Sequence, residues 1–290
     1  MNKKNLEKIA IKDVKIAISE DLGPGDITTS LLGKDKNILV NSIVKSNEDG
    51  IFCGQIWFNS SFKYVQKKYG GSLNIKWLKK DGDKIKKGQI ICKIKAPLKT
   101  TLLAERTALN FIQLLSGVSS KTNIYAKKIK KYKAKILDTR KTVPGIRSAQ
   151  KYAVLCGGGF NHRFGLYDQI LIKENHIIEK SKNFENFLKK IKEKIDFNKI
   201  SIEVENIKEL KIAISYKPKN ILLDNFTYSN IKKACSIINK TKTTIEISGN
   251  VNLKNIKKYA NLNIDYISIG DLTKNVNSLD FSLRVSKSLF

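Results

Sequence analysis

The chain has 290 residues, 41% of them apolar, and a formal net charge of +29, which suits one large or two ordinary globular domains with substantial cores. No run approaches the roughly 18 apolar residues of a membrane helix, and the lysine-studded N-terminus has neither a continuous apolar core nor a small-residue cleavage site, so the expectation is a cytoplasmic protein without a membrane segment. Cys53, Cys92, Cys156 and Cys235 show no CxxC or Cys/His spacing, the pattern of reduced thiols without structural zinc.

A pI near 9.8 raises nucleic-acid binding as a rival reading. Against it, the lysines are spread along the chain and aromatic residues do not interleave with them as a stacking platform requires. Solvated lysine faces explain the charge better, although the excess still attracts anions over a distance. Of the 55 basic residues 50 are lysine, a bias shared with asparagine and isoleucine that points to an AT-rich genome. Arginine is then the informative cation, retained where a planar fork grips a carboxylate or phosphate. The five arginines are Arg106, Arg140, Arg147, Arg163 and Arg284.

In chain order, Leu6, Ile9, Ile11, Val14, Ile16 and Ile18 predict a helix over 6–20, and Gly23-Pro24-Gly25-Asp26 a turn after it. Short alternating runs from Ile38 to Ile94 predict strands, with a helix near 56–68 between them. The stretch Asp81 to Gln89 predicts a hairpin; it resembles a lipoyl-type turn but lacks a modifiable lysine motif, so it reads as scaffold. Helical periodicity over 102–115 buries Leu103, Ala104, Ala108, Phe111, Ile112 and Leu115. Gly117 reads as a helix stop, followed by a second helix over 119–132.

From Lys135 the texture becomes regular. Strand-like runs at 135–139, 169–173, 200–205, 220–224, 244–248 and 265–269 alternate with helical segments at 183–195, 206–215, 228–239 and 252–260. Such alternation predicts parallel strands and a closed or nearly closed β/α barrel, with fewer strands than the standard eight.

In that architecture chemistry sits at the C-terminal strand ends. They read Asp138-Thr139-Arg140-Lys141, Lys173-Glu174-Asn175-His176, Glu203 and Glu205, Asp224-Asn225, Ser248-Gly249-Asn250, and Gly270-Asp271. One strand ending in charge is simply entering solvent, but six in succession after apolar runs suggest a site. Arg140, Lys141, His162, Arg163 and Lys173 form a cationic set for a polyanion. Glu203 and Asp224 suit sugar hydroxyls or a magnesium ion, and Ser248, Gly249 and Gly270 suit a phosphate held by backbone N–H groups. Together they suggest a small anionic substrate and a phosphorylated sugar.

The strings EDLGPGDITT, AERTALNFIQLLSGVSS, ILDTRKTVPGIRSAQKYAVLCGGGFNHRFGLYDQILIKENH, IEVEN, ILLDNF, IEISGN and YISIGDLT occur in order over roughly residues 18 to 285. In these strings the chain resembles the quinolinate phosphoribosyltransferases. The resemblance implies a reaction of quinolinate with phosphoribosyl pyrophosphate and Mg2+ to nicotinate mononucleotide, pyrophosphate and CO2. It implies no tightly bound organic cofactor and an α/β fold: an N-terminal α/β sandwich domain over 1–116, rejoined by residues about 275–290, plus an open, about seven-stranded parallel β/α barrel over 117–274.

Carried over by position, the resemblance puts Arg106, Arg140, His162, Arg163 and Lys173 around quinolinate. It puts Lys141 towards the pyrophosphate, Glu203 and Asp224 at the ribose and metal (the metal reached directly or through water), and Ser248, Gly249 and Gly270 at the 5′-phosphate. Lys141, Lys173, Glu203 and Asp224 are the implied catalytic residues. It further implies a homodimer in which Arg106 reaches the neighbouring site, with no nucleic-acid or membrane partner.

A related enzyme acting on another anionic heterocycle is the rival within the class. Arg147 reads as structural, Arg284 as a surface or interdomain residue, His176 as a residue behind the site, and Cys156 as packing. Glu174 and Glu205 read as facing away from it, Lys274 as either a phosphate contact or one more surface lysine, and Ile247 and Asn250 as flanks of the phosphate motif.

Overall fold

The computed structural model describes residues 3–173, 176 and 184–286. The chain forms two compact units, one made of Met1–Asn123, Thr142–Gly158 and Leu272–Phe290, the other of Ile124–Lys141 and Gly159–Asp271.

In the first unit, α1 (Lys3–Leu22) turns Leu6, Ala10, Val14 and Ile18 inward at helical spacing and packs on α3 (Gln55–Tyr69). Between them Asp13 accepts a hydrogen bond from the Trp57 indole N–H at 2.9 Å, and burial pushes this carboxyl above its ordinary range. After the glycine turn, Asp26 caps the one-turn helix α2 (Ile27–Ser30), accepting from the Thr29 N–H at 3.0 Å.

An antiparallel sheet follows, in the order β12 (Phe281–Ser286), β1 (Leu39–Ser46), β5 (Ile90–Pro97) and β3 (Asn74–Trp77). Its Trp77 meets Phe58 of α3 edge-on at 5.3 Å, joining helix layer to sheet. A second pairing joins β2 (Gly50–Ile51) to β4 (Lys84–Ile85), so the stretch Asp81 to Gln89 is not the local hairpin expected: its one strand pairs with a segment far earlier in the chain. Its role is mechanical: Asp81 accepts from the Gly54 and Gln55 N–H groups at 2.8 and 3.0 Å, capping α3, and from the Tyr152 hydroxyl at 2.8 Å. Tyr152 lies on α5 (Arg147–Cys156), which belongs to this unit.

The predicted stop at Gly117 is wrong. One helix, α4, runs from Leu98 to Lys128 through it. Glycine is present for room: a Cβ there would lie 2.2 Å from the Asn277 carbonyl oxygen. A close backbone approach, not helix termination, explains the residue.

The second unit is a parallel sheet ordered β6 (Lys135–Leu137), β11 (Tyr266–Ser268), β10 (Thr244–Ser248), β9 (Asn220–Asp224), β8 (Ile200–Val204) and β7 (Ile170–Ile172). A lone parallel bridge between Leu137 and Phe160 adds a seventh position beyond β6. Among the described residues no pairing links Phe160 to β7, so the barrel is open there, as expected of an α/β fold of this kind.

Strand register separates two faces. One carries Ile136, Ile202, Val204, Ile221, Leu223, Ile245, Ile247 and Ile267, all buried and aliphatic. This face suits the helix layer, where α7 (Ile207–Ser215) meets β8 and β9 and α8 (Tyr228–Ile238) meets β10. The other face carries Glu203, Asn220, Asp224, Glu246, Ser248 and Ser268.

Candidate active site

The polar face of the parallel sheet ends in the residues expected from the sequence. Lys173, just past β7, reaches the Glu203 carboxylate at 2.5 Å, and Glu203 is almost fully buried. The pair is charge-assisted, and low exposure strengthens it. On the neighbouring strand Asp224 is half-buried and accepts from the Asn225 side-chain amide at 2.8 Å.

Asn225 has a left-handed backbone, φ 54°, and its N–H reaches the Ser248 carbonyl at 3.0 Å. Gly249 follows with φ 90°, and a Cβ there would fall 2.1 Å from the Asn225 side-chain oxygen. Conformation and space both demand glycine, which brings the two strand ends into contact. Gly270 is also tight, since a Cβ would lie 3.0 Å from Lys141 Cδ. Lys141 therefore lies along the Gly270 backbone, joining the first strand end to the last.

The segment after β6 supplies the remaining cations. Asp138 is fully buried and accepts from the Asn161 side chain at 2.6 Å and the His162 N–H at 2.9 Å. His162 Nδ1 accepts the Arg163 N–H at 2.7 Å, so the imidazole proton sits on Nε2, 3.3 Å from Glu246 Oε1. Arg163 is 5% exposed and donates to the Gln169 carbonyl at 3.3 Å. Burial and then the neighbouring Arg140 guanidinium lower its pKa, partly offset by Asp168 and Glu203. Asp168 also holds the turn by accepting from the Phe164 N–H at 2.6 Å.

Other candidates stand elsewhere. Arg106 is exposed on α4 in the first unit, beside Glu105, whose carboxyl burial raises and Arg106 lowers. Arg147 opens α5 and donates to the Thr142 hydroxyl at 3.1 Å, and Arg284 is exposed on β12. Lys274 is an exposed residue at the end of α10 (Asp271–Lys274). His176 is exposed, its Nδ1 accepting the Lys173 N–H at 2.9 Å. Glu205 donates its N–H to Glu209 at the head of α7. Ile247 is core, and Asn250, with φ 53°, extends the Asn225 turn. Cys156 ends α5 in the first unit beside buried Cys53. Glu174 lies outside the described residues.

Sequence reading missed Glu246, 2% exposed, which accepts from Asn220 Nδ2 at 3.0 Å and from the Ser268 hydroxyl. The available signal was a glutamate between two isoleucines of a strand, on the face that also carries Ser248.

Among the described residues, the three-group clusters with metal-ligating atoms comprise only Cys53, Asp81 and Cys156, and there Asp81 is already committed to helix capping and Tyr152. Glu203 is compensated by Lys173, whereas Asp224 is a half-buried carboxylate at a strand end. That donor set fits a hard cation that keeps most of its water and takes one or two carboxylates plus phosphate oxygens.

A parallel β/α barrel with cations, two carboxylates and glycine turns gathered at its carboxyl ends is an anion-handling barrel enzyme. Residues 118–284 match the model of the quinolinate phosphoribosyl transferase C-terminal domain, and residues 26–116 match that of the N-terminal domain. A probable carboxylating nicotinate-nucleotide pyrophosphorylase of Methanocaldococcus jannaschii is 38% identical over 289 residues, covering 97% of this chain and 98% of the relative. The nicotinate-nucleotide pyrophosphorylase structure from Francisella tularensis is 39% identical with TM-score 0.85, covering 97% of each chain. That from Ehrlichia chaffeensis is 33% identical with TM-score 0.88, covering 99% of each. The chain belongs to the quinolinate phosphoribosyltransferase family.

Proposed function

We propose that this enzyme transfers the phosphoribosyl group of phosphoribosyl pyrophosphate to quinolinate, releasing pyrophosphate and CO2 and giving nicotinate mononucleotide for NAD synthesis. The observation that carries the reading is the buried Arg163 beside Arg140. Two guanidiniums in a dry setting repel each other, and a substrate with two adjacent carboxylates relieves that repulsion while fixing its ring nitrogen for attack.

In this reading Arg140, His162, Arg163 and Lys173 hold the dicarboxylate, and Arg106 of a second copy completes the pocket in a homodimer. Exposed Ile27, Leu31, Ile38 and Leu39 in the first unit support such an association. The ring nitrogen attacks the sugar C1 as pyrophosphate departs. Glu203 and Asp224 stabilise positive charge on the ribose, and Lys141 the departing pyrophosphate. Ser248, Gly249 and Gly270 hold the 5′-phosphate by close backbone approach. Once the nitrogen is quaternary, the adjacent carboxylate leaves as CO2; the ring carbanion, stabilised by that nitrogen, takes a proton.

A magnesium ion accompanying the pyrophosphate would contact Asp224, and Glu203 through water, and neutralise leaving-group charge. The four free thiols support a reducing, cytoplasmic setting.

The test is an assay with quinolinate, phosphoribosyl pyrophosphate and Mg2+ that follows nicotinate mononucleotide, with nicotinic acid as the control acceptor. Product from quinolinate alone is expected. A folded protein that gives none with quinolinate, or turns over another anionic heterocycle instead, overturns the reading.

A further inference from the structure

Glu246 shares the polar face of the parallel sheet with Glu203, and both pair across Leu222: Glu203 is in register with it on β8, Glu246 on β10. Two buried carboxylates therefore flank one leucine, each facing a basic side chain, Lys173 on one side and His162 on the other. A buried carboxylate is costly unless its lone pairs are met. Those of Glu246 are met from three elements: Asn220 at the start of β9, Ser268 at the end of β11, and His162 from the loop beyond β6.

The imidazole is correspondingly constrained. Its own backbone N–H is on Asp138, its Nδ1 accepts from the next N–H, and its Nε2 faces Glu246. We infer that Glu246 is a positioning residue for the transfer reaction, setting the orientation and tautomer of His162 and so the shape of the pocket that receives the anionic acceptor. The inference rests on the function proposed above. It assigns Glu246 no contact with the substrates. The carboxylate acts from beneath, as an orienting partner acts on a histidine elsewhere.

The protein has only two histidines, His162 and His176, so their ring nitrogens are directly assignable by 15N NMR. In the parent protein His162 is expected as the Nε2–H tautomer. Glu246→Leu should weaken that bias, which the Arg163 N–H on Nδ1 then holds alone, and raise the acceptor KM roughly 10-fold while leaving the phosphoribosyl pyrophosphate KM within about twofold. Glu246→Gln, which keeps an acceptor oxygen and the side-chain shape, should restore most of both. In a His162→Ala background the Glu246→Leu effect on KM should vanish, because the two residues act as a unit.

Should Glu246→Leu fail to fold, Ser268→Ala provides a milder loosening of the same carboxylate, and it should shift the tautomer balance and the acceptor KM in the same direction. An unchanged His162 tautomer in the variants, or effects that simply add in the double mutant, would overturn the inference. Absence of turnover in the parent protein would instead remove the functional reading, while the tautomer measurement would still report on the Glu246 contact.

Discussion

The two main sheets share a period-2 alternation and put it to opposite use. In the antiparallel sheet the polar alternates Asn41, Lys45, Lys76, Lys93 and Lys95 share one face and range from half-buried to exposed. In the parallel sheet the polar alternates Glu203, Asn220, Glu246 and Ser268 are buried. A lysine facing water needs little else, whereas an enclosed carboxylate must find a donor for its lone pairs. The same pattern therefore makes a solvated surface in one unit and a hydrogen-bonded site in the other.

The sharpest break of that contrast is at the guanidinium pair of buried Arg163 and half-buried Arg140. Arg163→Ala should lose 30-fold to several thousand-fold in quinolinate turnover, the equivalent of about 2 to 5 kcal/mol, with the fold retained by circular dichroism. Arg140→Ala should behave alike, and near-parent kinetics in both would dissolve the pocket.

Lys173→Ala takes from the buried Glu203 carboxylate its ammonium partner, and denaturant titration should show a loss of about 2 to 3 kcal/mol. This is less than a fully buried pair would lose, since the lysine side chain is 35% exposed. Gly249→Ala, forced into a left-handed backbone against Asn225, should cost about 2 kcal/mol and raise the phosphoribosyl pyrophosphate KM.

Smaller still is a pH effect at Asp81, in the first unit. Burial raises its carboxyl pKa in the fold, so its contribution is fully present below the ordinary carboxylate range and is lost as pH rises through the raised value. Asp81→Asn removes that dependence. Its melting temperature relative to the parent should therefore be more favourable at pH 7 than at pH 4, and a constant difference would contradict the assignment. At the other extreme, Lys95→Ala on the open face should change stability by no more than about 0.5 kcal/mol.

Much of this was legible because periodicity and strand-end chemistry are local. Strands β8 to β10 fall where alternation and β-branching placed them, and the residues at their carboxyl ends are those singled out as a site. Gly117 misled because a glycine inside a helical pattern has two explanations, and the one that holds depends on Asn277, far along the chain. Glu246 escaped because a single glutamate between isoleucines looks like a solvent-facing position.

What the amino-acid sequence determined by itself was the order of elements, the paucity of arginine that made Arg140 and Arg163 conspicuous, and the family strings. Only the tertiary structure decided that Lys173 meets Glu203, that Lys141 lies along Gly270, and that Glu246 stands beneath His162. The reason is register: which side chains share a face of a parallel sheet follows from how strands distant in sequence align, and that alignment is settled by packing across the whole sheet.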